Sequence, residues 1–180
     1  MSPGRFPNGL EVRAAAELRA ASGRKLEGYA AVFGTPATIG EFSETIMPGA
    51  FRASLAAGAD ILALVDHDPS RLLARTSSGT LRLTEDARGL RFELDVPPTT
   101  LGNDILAMAE RRDLGGMSFG FRVKDDAWPA RNRRELRAVE LVEVSVVQAH
   151  PAYAATSVTA RARMSPEAEA KMRRLLVETL

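Results

Sequence analysis

Several short segments of this chain alternate hydrophobic and polar residues, and such alternation is typical of half-buried β-strands. The segments "GTLRLTED" and "GLRFELDVP", separated by the turn-forming "EDARG", predict a β-hairpin. The segments "KLEGYAAVFG", "GGMSFGF" and "LRAVELVEVSVVQAH" are predicted as further strands. The mostly apolar run "DILALVDHD" is too short for a typical helix and predicts a buried strand.

Three other segments have helical signals. A short helix is predicted near 48–58, where Pro48 precedes a pair of apolar residues four positions apart and Gly58 follows. The segment "TTLGNDILAMAERRDLGG" predicts a longer helix with a threonine cap, an apolar stripe and a glycine pair at its end. The tail "SPEAEAKMRRLLVETL" predicts an amphipathic helix that docks on its own domain or binds a partner.

Strands outnumber helices, and no regular βαβ alternation is present, so the fold class is α+β with a mostly antiparallel β-barrel or sandwich core and flanking helices. Residues 1–25 show no convincing sheet pattern and are predicted to form a flexible N-terminal arm. Residues 26–160 form the predicted main domain, and residues 161–180 form the C-terminal amphipathic helix. A chain of 180 residues with 45% hydrophobic residues is long enough for one such domain.

Composition excludes several kinds of function. The formal net charge is +1, which gives no reason to expect nucleic acid or an anionic membrane as a partner. No apolar run approaches the roughly 20 residues that a membrane-spanning helix requires, so a soluble intracellular protein is expected. The absence of cysteine excludes disulfides, thiolate metal sites and cysteine nucleophiles.

Only two histidines occur, His67 and His150, so a zinc site built from several histidines is impossible. A histidine general base must be one of these two. His150 precedes a proline, which favours an extended strand-end conformation and makes His67 the better candidate. A carboxylate metal site at Asp66, Asp68 and Glu143 is an alternative that composition leaves open.

A serine nucleophile needs a base, and the base needs a partner that fixes its tautomer. Ser118 lies on a glycine-flanked strand, and His67 ends an apolar strand. Glu143, enclosed by valines and leucine in "LVEVSVV", is costly to desolvate unless it is paired with a group such as a histidine. Glu140 is the weaker choice because strand parity places it on the opposite face. Serines and histidines in strands are usually structural, so the residues alone indicate only a possible hydrolase.

Six blocks in this order resemble the prohead (capsid maturation) proteases of tailed bacteriophages: "GYAAVFG", "EFSETIMPGAF", "LVDHDPSRLLART", "GLRFELDVP", "GGMSFGFRV" and "ELVEVSVVQAHPAYAAT". That family is related in fold to the herpesvirus proteases called assemblins. The resemblance implies a serine endopeptidase inside the immature capsid of a phage, prophage or gene-transfer particle. Its expected substrates are the scaffolding sequence of the major capsid protein and the protease itself, and a homodimer is conceivable by analogy with assemblins.

The resemblance assigns His67, Ser118 and Glu143 as a catalytic triad that requires no metal or organic cofactor. Gly120 and Phe119 are predicted to bind substrate, because a side chain at 120 would obstruct a peptide backbone beside Ser118. Met117, Phe119 and Phe121 are predicted to anchor the other face of the strand in the core. A noncatalytic capsid-assembly scaffold with the same fold is the alternative function.

Overall fold

The computed structural model describes residues 9–15, 17–21 and 23–148, and the predicted tail helix and His150 lie outside these residues. Two helices occur in this part of the chain, α1 (Arg52–Ala56) and α2 (Thr100–Arg111). The strands, in chain order, are β1 (Leu10–Ala15), β2 (Glu17–Ala21), β3 (Lys25–Val32), β4 (Ala37–Ile39), β5 (Phe42–Ile46), β6 (Leu62–Val65), β7 (Asp68–Arg75), β8 (Leu81–Glu85), β9 (Gly89–Asp95), β10 (Gly116–Ala130) and β11 (Arg133–Val147).

Within the described residues, the larger sheet has seven strands and is organised around the long antiparallel hairpin of β10 and β11. β1 pairs antiparallel with the free side of β10. The other side of β11 pairs in parallel with β5 near the start of β11 and with β6 near its end. β4 extends the sheet beyond β5, and β7 extends it beyond β6. As a result, β6 and the residues that follow it lie directly beside the last third of β11.

The smaller sheet, as far as the structure describes the chain, has four antiparallel strands in the order β2-β3-β9-β8. Apolar residues of both sheets form one buried core, which also includes Ile105 of α2 and Phe51 beside α1. The ring of Phe119 packs edge-on against Phe51 at 5.5 Å between centroids and stacks on Phe121 at 5.1 Å. Met117, Phe119 and Phe121 are therefore core residues, as predicted, and they fix the position of β10.

Two sheets face one core, and the described strands do not close into a barrel, so the sandwich form of the predicted α+β fold is confirmed. The β8–β9 hairpin and helix α2 are also confirmed, including the Thr99 side chain that accepts a hydrogen bond from the Gly102 backbone N–H. α2 ends at Arg111, before the predicted glycines, because Arg112 adopts a left-handed conformation.

Besides β4, β5 and β7, which were not predicted as strands, two regions differ from the sequence prediction. The arm predicted for residues 1–25 contains β1 and β2, which the alanine- and arginine-rich sequence did not indicate. The polar segment "KDDAWPARNRR", predicted as an excursion between strands, continues both strands as the distal half of the β10–β11 hairpin. In both regions the partner strand supplies the backbone hydrogen bonds, so pairing outweighs weak local propensity.

Candidate active site

A two-residue turn connects β6 to β7 and carries His67. Val65 pairs with Asp68, so Asp66 and His67 alone form the turn, with φ of 52° and 61°. Positive φ at both central residues is the mark of a type I′ hairpin turn, which aspartate tolerates better than most residues. The Asp66 carboxylate accepts a hydrogen bond from the Gln148 backbone N–H at 2.9 Å, which ties the turn to the end of β11.

The imidazole of His67 contacts the carboxylate of Glu143 on β11. Nδ1 of His67 lies 2.6 Å from Oε1 of Glu143, a short hydrogen bond across 76 residues of sequence. Parallel pairing of β6 with β11, in which Leu62 lies opposite Glu143, brings the two segments together. A Nδ1 proton donated to this carboxylate leaves Nε2 as the proton acceptor of the ring.

Ser145 completes the environment of Glu143. Its hydroxyl donates to Oε2 of Glu143 at 2.6 Å and accepts from the backbone N–H of His67 at 3.2 Å. Glu143 is 5% exposed and Ser145 is fully buried. Both oxygens of a buried carboxylate therefore have a partner, which the cost of desolvation demands.

Ser118 lies directly opposite Ser145 in the β10–β11 ladder, and Gly120 lies opposite Glu143. Ser118, Glu143 and Ser145 therefore share one face of the sheet, to which His67 is hydrogen-bonded. The Ser118 hydroxyl donates to the backbone carbonyl oxygen of Arg13 in β1 at 2.7 Å, and Ser118 is 1% exposed. Among the hydrogen bonds of the described residues there is none between Ser118 and His67.

The two predicted substrate-binding residues have other contacts. A Cβ atom at Gly120 would overlap Oε1 of Glu143 and lie 3.1 Å from its Cδ, so the glycine makes room for the carboxylate. Phe119 is 1% exposed, and its ring faces the core. Direct contact of Phe119 with substrate does not fit this position, because strand parity turns its side chain away from the face of Ser118.

The structure gives no support to Glu140 as the partner of His67 or to a carboxylate metal site. Glu140 pairs with Lys124 and Arg122 at the surface, and these cations hold the pKa of Glu140 below its ordinary value. Within the described residues, no group of three or more histidine, aspartate or glutamate side chains is arranged to hold a metal ion. Ser145 was not among the site residues that the sequence predicted. The only signal was a second polar residue two positions along a valine-rich strand.

A buried ion cluster lies beneath β1, on the core-facing side. Arg13 binds both oxygens of Glu44 at 2.5 and 2.9 Å and also contacts Glu11 at 2.8 Å. Arg134 contacts Glu11, Glu44 and Asp126 at 2.7 to 3.2 Å. Burial alone would lower the pKa of Arg134, but hydrogen bonds to Glu11 and Asp126 more than offset it and hold that pKa above its ordinary value. The cluster attaches β1 to β5 and β11.

The chain matches a family model of serine proteases over residues 9–171, which covers every strand and helix described above. The family is the caudovirus prohead serine proteases, and the chain belongs to it. No curated protein and no solved structure gives a significant match, so the family assignment rests on the family model. Among the described residues, no helix has the length and apolar character needed to cross a membrane.

Proposed function

We propose that this chain is a serine endopeptidase in which Ser118 is the nucleophile, His67 the general base and Glu143 the residue that orients the base. It acts inside the immature capsid, where it removes scaffolding sequence from the major capsid protein and cleaves itself. The observation that carries the proposal is the 2.6 Å contact between His67 and the buried Glu143, beside the strand of Ser118, in a prohead serine protease.

The proposed reaction is acyl transfer. The Ser118 hydroxyl attacks a peptide carbonyl carbon while Nε2 of His67 takes its proton. The resulting imidazolium is stabilised by the negative charge of Glu143 at Nδ1. When the tetrahedral intermediate collapses, the C–N bond breaks and the leaving amine receives the proton from Nε2. Water then attacks the acyl-enzyme with the same base and releases Ser118.

The sheet suits this chemistry because it holds the base, in the turn that follows β6, beside its partner on β11. Glu143 is buried, so its charge acts on the imidazole with little screening by water. The Asp66–His67 turn is fixed at both ends by strand pairing and by the Gln148 contact. Side chains held by such contacts keep the geometry that proton transfer requires.

Co-expression of the chain with its major capsid protein tests the proposal. Ser118→Ala and His67→Ala should each reduce trimming of the capsid protein by about 10⁴-fold or more. Glu143→Gln should reduce it about 10²- to 10⁴-fold, because glutamine stabilises the wrong tautomer and carries no charge. Glu140→Gln, on the same strand but paired with surface cations, is the matched control and should trim normally.

Trimming can be followed by gel electrophoresis and mass spectrometry of the capsid protein. Wild-type rates in the Ser118→Ala variant would overturn the mechanism. If all three substitutions leave trimming unchanged and capsid assembly still requires the chain, the scaffold function is correct instead.

A further inference from the structure

Ser145 has two hydrogen bonds that join separate parts of the site. Its hydroxyl proton goes to Oε2 of Glu143, and its oxygen accepts the backbone N–H of His67. Oε1 of the same carboxylate holds the imidazole of the same histidine. These hydrogen bonds therefore form a closed ring, from the backbone N–H of His67 through Ser145 and Glu143 to the imidazole of the same histidine.

We propose that Ser145 is a positioning residue that fixes the orientation of both Glu143 and the His67 turn; this inference rests on the proposed function. Ser145 is fully buried, so water has no direct access to replace its hydroxyl. Without the hydroxyl, Glu143 loses the donor at Oε2 and rotates more freely about its terminal bond. The His67 turn loses its contact with the middle of β11.

Ser145→Ala should lower kcat roughly 10- to 100-fold with little change in KM, the size expected when a base is displaced by a fraction of an ångström to 1 Å.

Ser54→Ala is the matched control, because Ser54 is also a buried serine bonded to β11, at the Leu141 backbone N–H, but away from His67. Purified capsid precursor is the substrate for all variants, and thermal unfolding is measured in parallel. Equal kcat values for Ser145→Ala and Ser54→Ala would overturn the role. A comparison of the wild-type rate with the Ser118→Ala rate in the same assay tests the proposed function independently of Ser145.

A second inference comes from the contacts of Ser118 itself. β1 runs along the whole catalytic part of β10, with Ala14 opposite Ser118 and Leu10 opposite Arg122. Ser118 is 1% exposed and its hydroxyl is bonded to the carbonyl oxygen of Arg13. The Arg13 side chain is anchored in the buried ion cluster and lies 5.4 Å from the ring centre of Phe121.

We infer that β1 shields Ser118, and that cleavage requires β1 to leave β10 so that an extended substrate peptide pairs with this edge. In this structure the Ser118 hydroxyl donates its proton to β1, and the backbone groups along the free side of β10 pair with β1. A substrate peptide that adds to the sheet as an extra strand needs the same backbone groups. The inference depends on the proposed function only through the choice of Ser118 as nucleophile.

A reversible crosslink between β1 and β10 tests it. Leu10→Cys with Arg122→Cys places two cysteines at directly opposed positions, which suits disulfide geometry. The chain has no other cysteine, so no other intramolecular bridge can form. Since β2 pairs with β3, β1 would then be held at both ends. Thr84→Cys with Arg91→Cys, opposed in β8 and β9, is the control.

The oxidised β1–β10 protein should process capsid precursor at least 10-fold more slowly than the same protein after reduction. The control pair should be equally active in both states. If the oxidised β1–β10 protein is as active as its reduced form, β1 does not have to move. Activity of the reduced protein, absent in Ser118→Ala, keeps this result independent of the test of the proposed function.

Discussion

Gly120 and Glu143 face each other across two adjacent strands, and the absence of a side chain at 120 provides the space for the carboxylate. The backbone of Gly120 does not have the positive φ that would itself require glycine. Glycine is therefore required at 120 for a steric reason, the space taken by the Glu143 side chain. Glu143 cannot move freely to make room for a larger residue, because His67 and Ser145 are hydrogen-bonded to its two oxygens.

Gly120→Ala should destabilise the protein by about 1–3 kcal/mol, because the added methyl group forces Glu143 out of its position. The same substitution in a Glu143→Ala background should cost close to nothing. Urea unfolding of the four proteins gives the coupling free energy between the two positions. Equal costs in both backgrounds would show that the methyl group meets something other than Glu143.

At the residue level, the sequence identified the pairing of His67 with Glu143 because few residues were available. Two histidines limited the choice of base, and a glutamate among valines required a partner. It did not identify the role of Ser145, whose two contacts depend on how β6 lies beside β11. Nor did it indicate that Ser118 is bonded to Arg13, since a backbone acceptor leaves no mark in the sequence.

At the level of elements, local signals predicted those strands and helices that are stabilised locally. The β8–β9 hairpin has alternation and a turn, and α2 has a cap and a stripe, so both were predicted. β1 and β2 have neither signal and are strands because β10 and β3 pair with them. β7 was also missed, since its polar residues form a strand only through pairing with β6.

On the scale of the whole molecule, the buried ion cluster connects three parts of the larger sheet that are distant in sequence. Arg134 is 5% exposed and contacts the carboxylates of Glu11, Glu44 and Asp126. Arg13 is the second cation of the cluster. Removal of either arginine leaves buried carboxylates without enough cationic partners to offset the cost of their desolvation.

Arg134→Met should therefore destabilise the protein by about 3–5 kcal/mol, the usual cost of breaking a buried ion pair from one side. Arg137→Met, on the same strand, breaks an exposed pair with Glu135 and should cost less than about 1 kcal/mol. Chemical denaturation of the two variants gives the comparison. A cost for Arg134→Met no larger than that of Arg137→Met would mean that the cluster contributes little to stability.

Apart from the bond between Ser145 and Glu143, the contacts that assemble the site of the proposed triad are distant along the chain. The bond from His67 to Glu143 spans 76 residues, that from His67 to Ser145 spans 78, and that from Ser118 to Arg13 spans 105. Non-local contacts of this kind form slowly, because the entropy lost in closing long loops opposes them. A ribosome-bound chain exposes His67 and Ser118 before Glu143 has been synthesised. Under the proposed function, the newly synthesised protease therefore stays inactive until β11 has paired with β6 and β10.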